Sequence, residues 1–178
     1  MARMVRMADA SMPGKEKVMA GCQIIAGYIG GDTPHVWTEE DWHRPEFTGF
    51  KKLPIFVRSN AVGSVGGKAD GFTALEALFT LGVPIGSAVV YDRETNEDAE
   101  GSAAFDEVLN WVGYHPIQYG SMDNIFKHPS PWFPADPTGT PHIVDRNGVE
   151  MTQYIDDQGG YDYSEVKFWV VERRLKVW

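Results

Sequence analysis

Apolar residues in this chain gather in short dense runs, and the polar residues between them follow two spacings. "CQIIAGYIGG" (22–31) predicts a buried strand that runs into a glycine turn. "KKLPIFVRSN" (51–60) predicts a second strand with Pro54 near its entry, "GSAVVYDRET" (86–95) a third and "HPIQYGS" (115–121) a fourth. Between the second and third, Phe72, Leu75, Leu78, Phe79 and Leu81 recur mostly at helical spacing; Asp70 is placed to cap this helix, and Gly82 and Pro84 to stop it. The glycine-rich "VGSVGGKADG" (62–71) ahead of it predicts a flexible loop, a lid over whatever lies above the strands. Phe105, Val108, Leu109 and Val112 follow i, i+3, i+4, i+7 and predict a second helix. Thr38 with Asp41 fits a helix-start capping box in which Asp replaces the usual Glu.

Beyond these, a short helix is expected around Met122–Phe126, then a proline-rich strand or loop, "PSPWFPADPTGTP". "HIVDRNGVEMTQYIDD" (142–157) predicts an antiparallel hairpin turning at Asn147-Gly148. "GGYDYSEVKFWVVERRLKVW" is compatible with a Ser164-capped helix or with a strand. Strand–helix alternation over 22–130 predicts a parallel sheet. A chain of 178 residues is short of the roughly 250 of a standard eight-fold barrel. The expected fold is therefore α/β: an abbreviated, flattened (β/α) barrel, TIM-like, with an antiparallel hairpin near the C-terminus.

Several predicted strands end in polar residues: Arg58-Ser59, Asp92 to Glu94, and Tyr119-Gly120-Ser121. In parallel α/β sheets the ligand sits at that end. With a period of two, Asp92 and Glu94 share one face and Arg93 takes the other. Paired acids are common at solvated strand ends. In an aromatic-lined cleft, however, they are also what glycosidic cleavage needs, one acid staying protonated and the other ionised.

Charge narrows the partners. A net charge of −9 argues against general nucleic-acid binding, which needs a basic stripe. Cys22 alone rules out an internal disulfide framework and lies in an apolar run, as a buried inert thiol does. The five histidines show no metal-binding spacing, so no metal and no cofactor are expected. No run approaches the roughly 18 apolar residues of a membrane span. Residues 1–20 carry Arg3, Arg6, Lys15 and Lys17 without the apolar core of a secretory signal. They are expected to form a flexible or partner-pinned tail ahead of a single domain, 21–178.

The motif order carries a resemblance. "AVVYDRET" looks like the Asp-x-Glu strand of glycoside hydrolase family 25 lysozymes, and "PIQYGS" and "SPWFPADP" resemble their next two strands. "MTQYIDDQGGYDYSEV" is similar to their closing segment, with Gln153, Tyr154 and Asp162 at matching positions. "AGYIGGDTPHVWTEEDW" looks more specifically like the glycoside-hydrolase-like domain of actinobacteria and their bacteriophages. The resemblance spans roughly 24–166 and implies hydrolysis of the β-1,4 bond between N-acetylmuramic acid and N-acetylglucosamine in peptidoglycan. It makes Glu94 the general acid and Asp92 its partner. Tyr28, Asp32, Tyr119, Trp132, Gln153 and Asp162 are the expected substrate-binding residues. The family also carries an acid on its first strand; here the matching position falls in Tyr28-Ile29-Gly30, with Asp32 the substitute.

Two functions follow. One is a phage-encoded, peptidoglycan-directed hydrolase, virion-associated or released from the host cytoplasm at lysis, whose partner is the cell-wall glycan. The other is a non-catalytic virion structural or adhesion protein of the same fold, joined to other virion proteins through its N-terminal tail. The altered first strand and the basic tail favour the second.

Overall fold

The computed structural model describes residues 4–10, 18, 20–93, 98–158 and 160–178, without the side chains of 157 and 158. Eight strands close into one barrel in chain order: β1 (Met4–Ala10), β2 (Cys22–Gly31), β3 (Lys51–Val57), β4 (Ala88–Asp92), β5 (His115–Ser121), β6 (Trp132–Ala135), β7 (Met151–Gln158) and β8 (Tyr161–Lys167). Neighbours from β1 to β7 pair parallel, while β8 runs antiparallel to both β7 and β1. The helices are α1 (Glu39–Trp42), α2 (Gly63–Thr80), α3 (Ala99–Val112) and α4 (Phe168–Arg174). Among the described residues only α2 and α3 are full crossover helices, so the barrel is abbreviated. None of the described helices is long and apolar enough to cross a membrane.

Alternation along the strands divides the core in two. Val5, Met7, Ile24, Ala26, Leu53, Ile55, Ala88, Val90, Ile117 and Met151 fill the barrel. The opposite faces supply Ile25, Phe56, Val89 and Tyr91, which pack with Leu75, Leu78, Phe105 and Leu109 of α2 and α3. At the end where the parallel strands begin, Val170 and Val171 of α4 and Leu175 join the inner cluster. Lys51 fastens this plug by donating through Nζ to Val171 O and Leu175 O, at 2.6 and 3.0 Å. That end of the barrel interior is filled by apolar side chains.

Four local expectations are corrected. Residues 4–10 are not tail but the strand that closes the barrel, in register with β2 and β8. The glycine-rich stretch is helix: α2 begins at Gly63, and Asp70 lies within it, buried. Gly67 faces α3 so closely that a Cβ there would lie 2.0 Å from Gly101 O, so the glycines serve helix–helix contact. Phe72 and Phe79, which share the helical spacing with Leu75 and Leu78, are exposed. Asn147-Gly148 turns no hairpin. Gly148 O accepts from Trp132 N and Glu150 N donates to Trp132 O, so this segment lies along β6, and the hairpin is β7–β8.

Elsewhere expectation and structure agree. Thr38 and Asp41 form the capping box of α1. The strand reading of the C-terminal stretch holds for β8; Ser164 lies within that strand and caps no helix, and α4 follows with Lys167 at its N-cap. Burial pushes the Cys22 thiol up to about 11, away from reactivity at neutral pH.

Candidate active site

The inward-facing positions of the barrel repeat one pattern, apolar below and polar at the rim. On β1 it reads Val5, Met7, Asp9; on β2 Ile24, Ala26, Tyr28; on β4 Ala88, Val90, Asp92; on β5 Ile117, Tyr119. β8 runs the other way, so its inward acid, Asp162, comes at the start of the strand and reaches the same end. A small hollow of about 30 Å³ results, lined by Asp9, Tyr28, Ile55, Val90, Asp92, Tyr119, Phe133 and Asp162. That is room for a water or two. Asp9 and Asp162 are cross-strand partners in the β1–β8 register, and Asp92 stands opposite Tyr119 in the β4–β5 register. Asp92 also shares its side with a wider polar groove of about 220 Å³, lined with Asp32, Val57, Arg58, Ser59, Asn60 and Arg93.

The walls are held from behind. The Tyr119 hydroxyl donates to Gln153 Oε1, which orients the phenol from β7. Phe133 meets the Tyr119 ring edge-on at 4.8 Å. The rim of β4 is tied on both sides, Arg58 N donating to Asp92 O at 3.0 Å and Arg93 N to Tyr119 O at 3.1 Å.

Arg93 points away from Asp92, as strand alternation requires, and its guanidinium is buried at the start of α3. It donates to Asp98 O at 2.8 Å and Ser102 Oγ at 2.9 Å. Burial works against ionising Asp98, but the amides of Gly101 and Gly63 and the Arg93 guanidinium outweigh it and hold that carboxyl below the usual range. Behind them Asp106 is pushed up to about 7 by burial, opposed by the Gln118 amide and by Arg93. On the same outer face of β4, the Tyr91 hydroxyl donates to Asp70 Oδ2 at 2.6 Å, and Ser59 N donates to the same oxygen at 3.0 Å. The loop after β3 is thereby fixed beside the groove.

Of the expected site residues, Asp92, Tyr28, Tyr119 and Asp162 come together in the hollow, and Gln153 stands directly behind Tyr119. Glu94 lies outside the described residues. Asp32 lines the neighbouring groove, where it accepts from Asn60 Nδ2 at 3.3 Å, and is not the first-strand acid. That place belongs to Asp9, absent from the sequence-based set because its strand was read as tail. Its signal is the period-two run Val5, Met7, Asp9, which matches Ala88, Val90, Asp92. Trp132 does not line the hollow. Its indole N–H donates to His128 O at 2.9 Å, and its ring packs edge-on against Phe126 at 5.3 Å. Phe133, one residue on and on the opposite face of β6, takes its place.

No protein-family model and no curated protein matches the sequence. Solved structures match its shape. An uncharacterized B. stearothermophilus protein aligns over 97% of this chain and 100% of its own, at 18% identity and TM-score 0.79. GHIP, a glycosyl hydrolase 25 of Streptococcus pneumoniae, aligns over 96% of this chain and 92% of its own, at 12% identity and TM-score 0.69. The modular autolysin LytC from Streptococcus pneumoniae, in complex with a synthetic peptidoglycan ligand, aligns over 91% of this chain and 46% of its own, at 13% identity and TM-score 0.67. At such identities the likeness is one of fold, and the fold is the abbreviated barrel of glycoside hydrolase family 25 lysozyme-like domains.

Proposed function

We propose that this chain is a peptidoglycan-directed glycoside hydrolase of the muramidase type. The observation that carries the reading is the convergence of Asp9, Asp92 and Asp162, from three strands, on one hollow at the barrel's open end. A carboxyl group can act at such a site as a proton holder or as an anion. Glycosidic cleavage uses both kinds, a proton for the leaving oxygen and negative charge facing the oxocarbenium-like carbon. Glu94, two residues beyond Asp92, is the proposed proton donor. Asp92 stabilises the developing positive charge or orients water, with Asp9 and Asp162 adding negative potential beneath it. Tyr28 and Tyr119 line the hollow beside the carboxyl groups, and the groove beyond Asp92 takes the glycan. That LytC was solved with a peptidoglycan ligand supports the choice of polymer.

The two motives for a non-catalytic virion protein weaken together, because residues 4–10 of the expected tail are the strand that brings an acid to the hollow, while Arg3, Lys15 and Lys17 lie outside the described residues. Action from a virion, or on release at host lysis, is the setting we propose for the enzyme. The test is release of reducing sugar from purified peptidoglycan. Asp92→Asn and Asp9→Asn should each lower it about 100-fold or more, with the fold intact by circular dichroism. Borohydride labelling should place the new reducing ends on muramic acid. Wild-type release no greater than that of Asp92→Asn would overturn the reading.

A further inference from the structure

Three of the large apolar side chains left exposed lie on one helix: Val65 at 82%, Phe72 at 58% and Phe79 at 56%. They recur every seventh residue of α2, so they form one row along its outer side. The inner side of α2, from Gly66 to Leu78, is already buried against the barrel and α3. Beside the row Trp111, 82% exposed, completes a groove of about 250 Å³ lined by Lys68, Phe72, Glu107, Val108 and Trp111. An exposed apolar row with charged residues set between and beside its members is a surface that a partner of matching pattern can cover.

The charges around the strip identify its cover. Lys68 precedes Phe72 by four residues and Glu76 follows it by four. Laying a second copy antiparallel on α2, with a twofold axis at Phe72, sets the two Phe72 rings against each other. It also sets each Val65 level with the partner's Phe79, and each Lys68 level with the partner's Glu76. A parallel pairing would instead set lysine beside lysine and glutamate beside glutamate. Self-complementarity of this kind is what a twofold interface requires. We propose that the chain forms a twofold dimer through the outer face of α2, with Phe72 on the axis. In the single chain Lys68 Nζ pairs with Glu107 Oε2 at 3.3 Å, an exposed contact of little strength that leaves the lysine able to re-pair. The face lies on the barrel's flank, so both clefts stay open at the strands' carboxyl ends.

Sedimentation of the full chain across micromolar to several hundred micromolar tests this, with a dimer at twice the 19.8 kDa chain mass. Phe72→Glu places two charges on the axis and should raise the dimer dissociation constant about thirty-fold or more. Lys68→Glu sets like charges across the seam and should raise it about ten-fold; adding Glu76→Lys should restore association. Each change is at an exposed position, and an unchanged thermal melt certifies the fold. A wild type that stays monomeric throughout, or a dimer indifferent to Phe72→Glu, overturns the proposal. A double charge swap that fails to recover association overturns its antiparallel register.

Discussion

Asp106 shows how one buried carboxyl leaves a mark on stability. It accepts from Gln118 Nε2 at 2.6 Å and is pushed up to about 7 by burial. The native protein therefore keeps this proton after the unfolded chain has lost it, near the ordinary aspartate value of about 4. Between those two points the native state binds more protons, so stability falls as pH rises from about 4 to about 7 and stays lost above. Asp106→Asn removes the titration. Relative to wild type, the variant should gain about 4 kcal/mol across that interval and then level off, read by urea denaturation over a pH series. A difference that is flat with pH would contradict the assignment. The site acids were unequally legible in the sequence. Asp92 and Asp162 were visible through motif order, whereas Asp9 stands among methionines and arginines whose composition resembles a tail. Side-chain alternation, which composition obscures, was the informative signal.

The helix α2 was half visible. Its second part, Leu75 to Leu78, has the apolar period that marks a core-facing stripe, while its first part is too rich in glycine to show a period at all. Those glycines trade helix propensity for approach. At Gly67 a Cβ would meet Gly101 O at 2.0 Å, and at Gly71 it would meet Val108 Cβ at 2.8 Å. Gly67→Ala raises intrinsic helix propensity yet should destabilise the protein by about 3 kcal/mol, because backbone in α3 must move to admit the methyl. Chemical denaturation measures it, and a neutral or stabilised variant would mean the two helices are not held that close. The same proximity lets Asp70, buried within the helix, reach both the Tyr91 hydroxyl and the Ser59 amide. A sequence shows an acid before an apolar run and suggests a cap; only the packed pair of elements shows an acceptor shared between two strands' ends.

Closure of the barrel depends on β1, whose flanks carry parallel pairing to β2 and antiparallel pairing to β8. Trp37 reinforces it, its indole N–H donating to Ala10 O at 3.1 Å. Deleting residues 1–10 should thus leave two unpaired strand edges and an uncovered interior. We expect aggregation and no cooperative thermal transition; a deletion variant that melts as wild type does would return this segment to the status of a tail. Long-range pairing of this sort has no local signature, which is why the parallel middle of the barrel was readable from strand–helix alternation and its seam was not. The seam also orders events in time. Asp9 and Asp162 stand on the two strands that meet there, 153 positions apart by their numbering. During synthesis the earlier carboxylate must wait, without its neighbour, until the chain has been made through β8. On this account the hollow with its three carboxyl groups is absent from any nascent chain that stops short of β8.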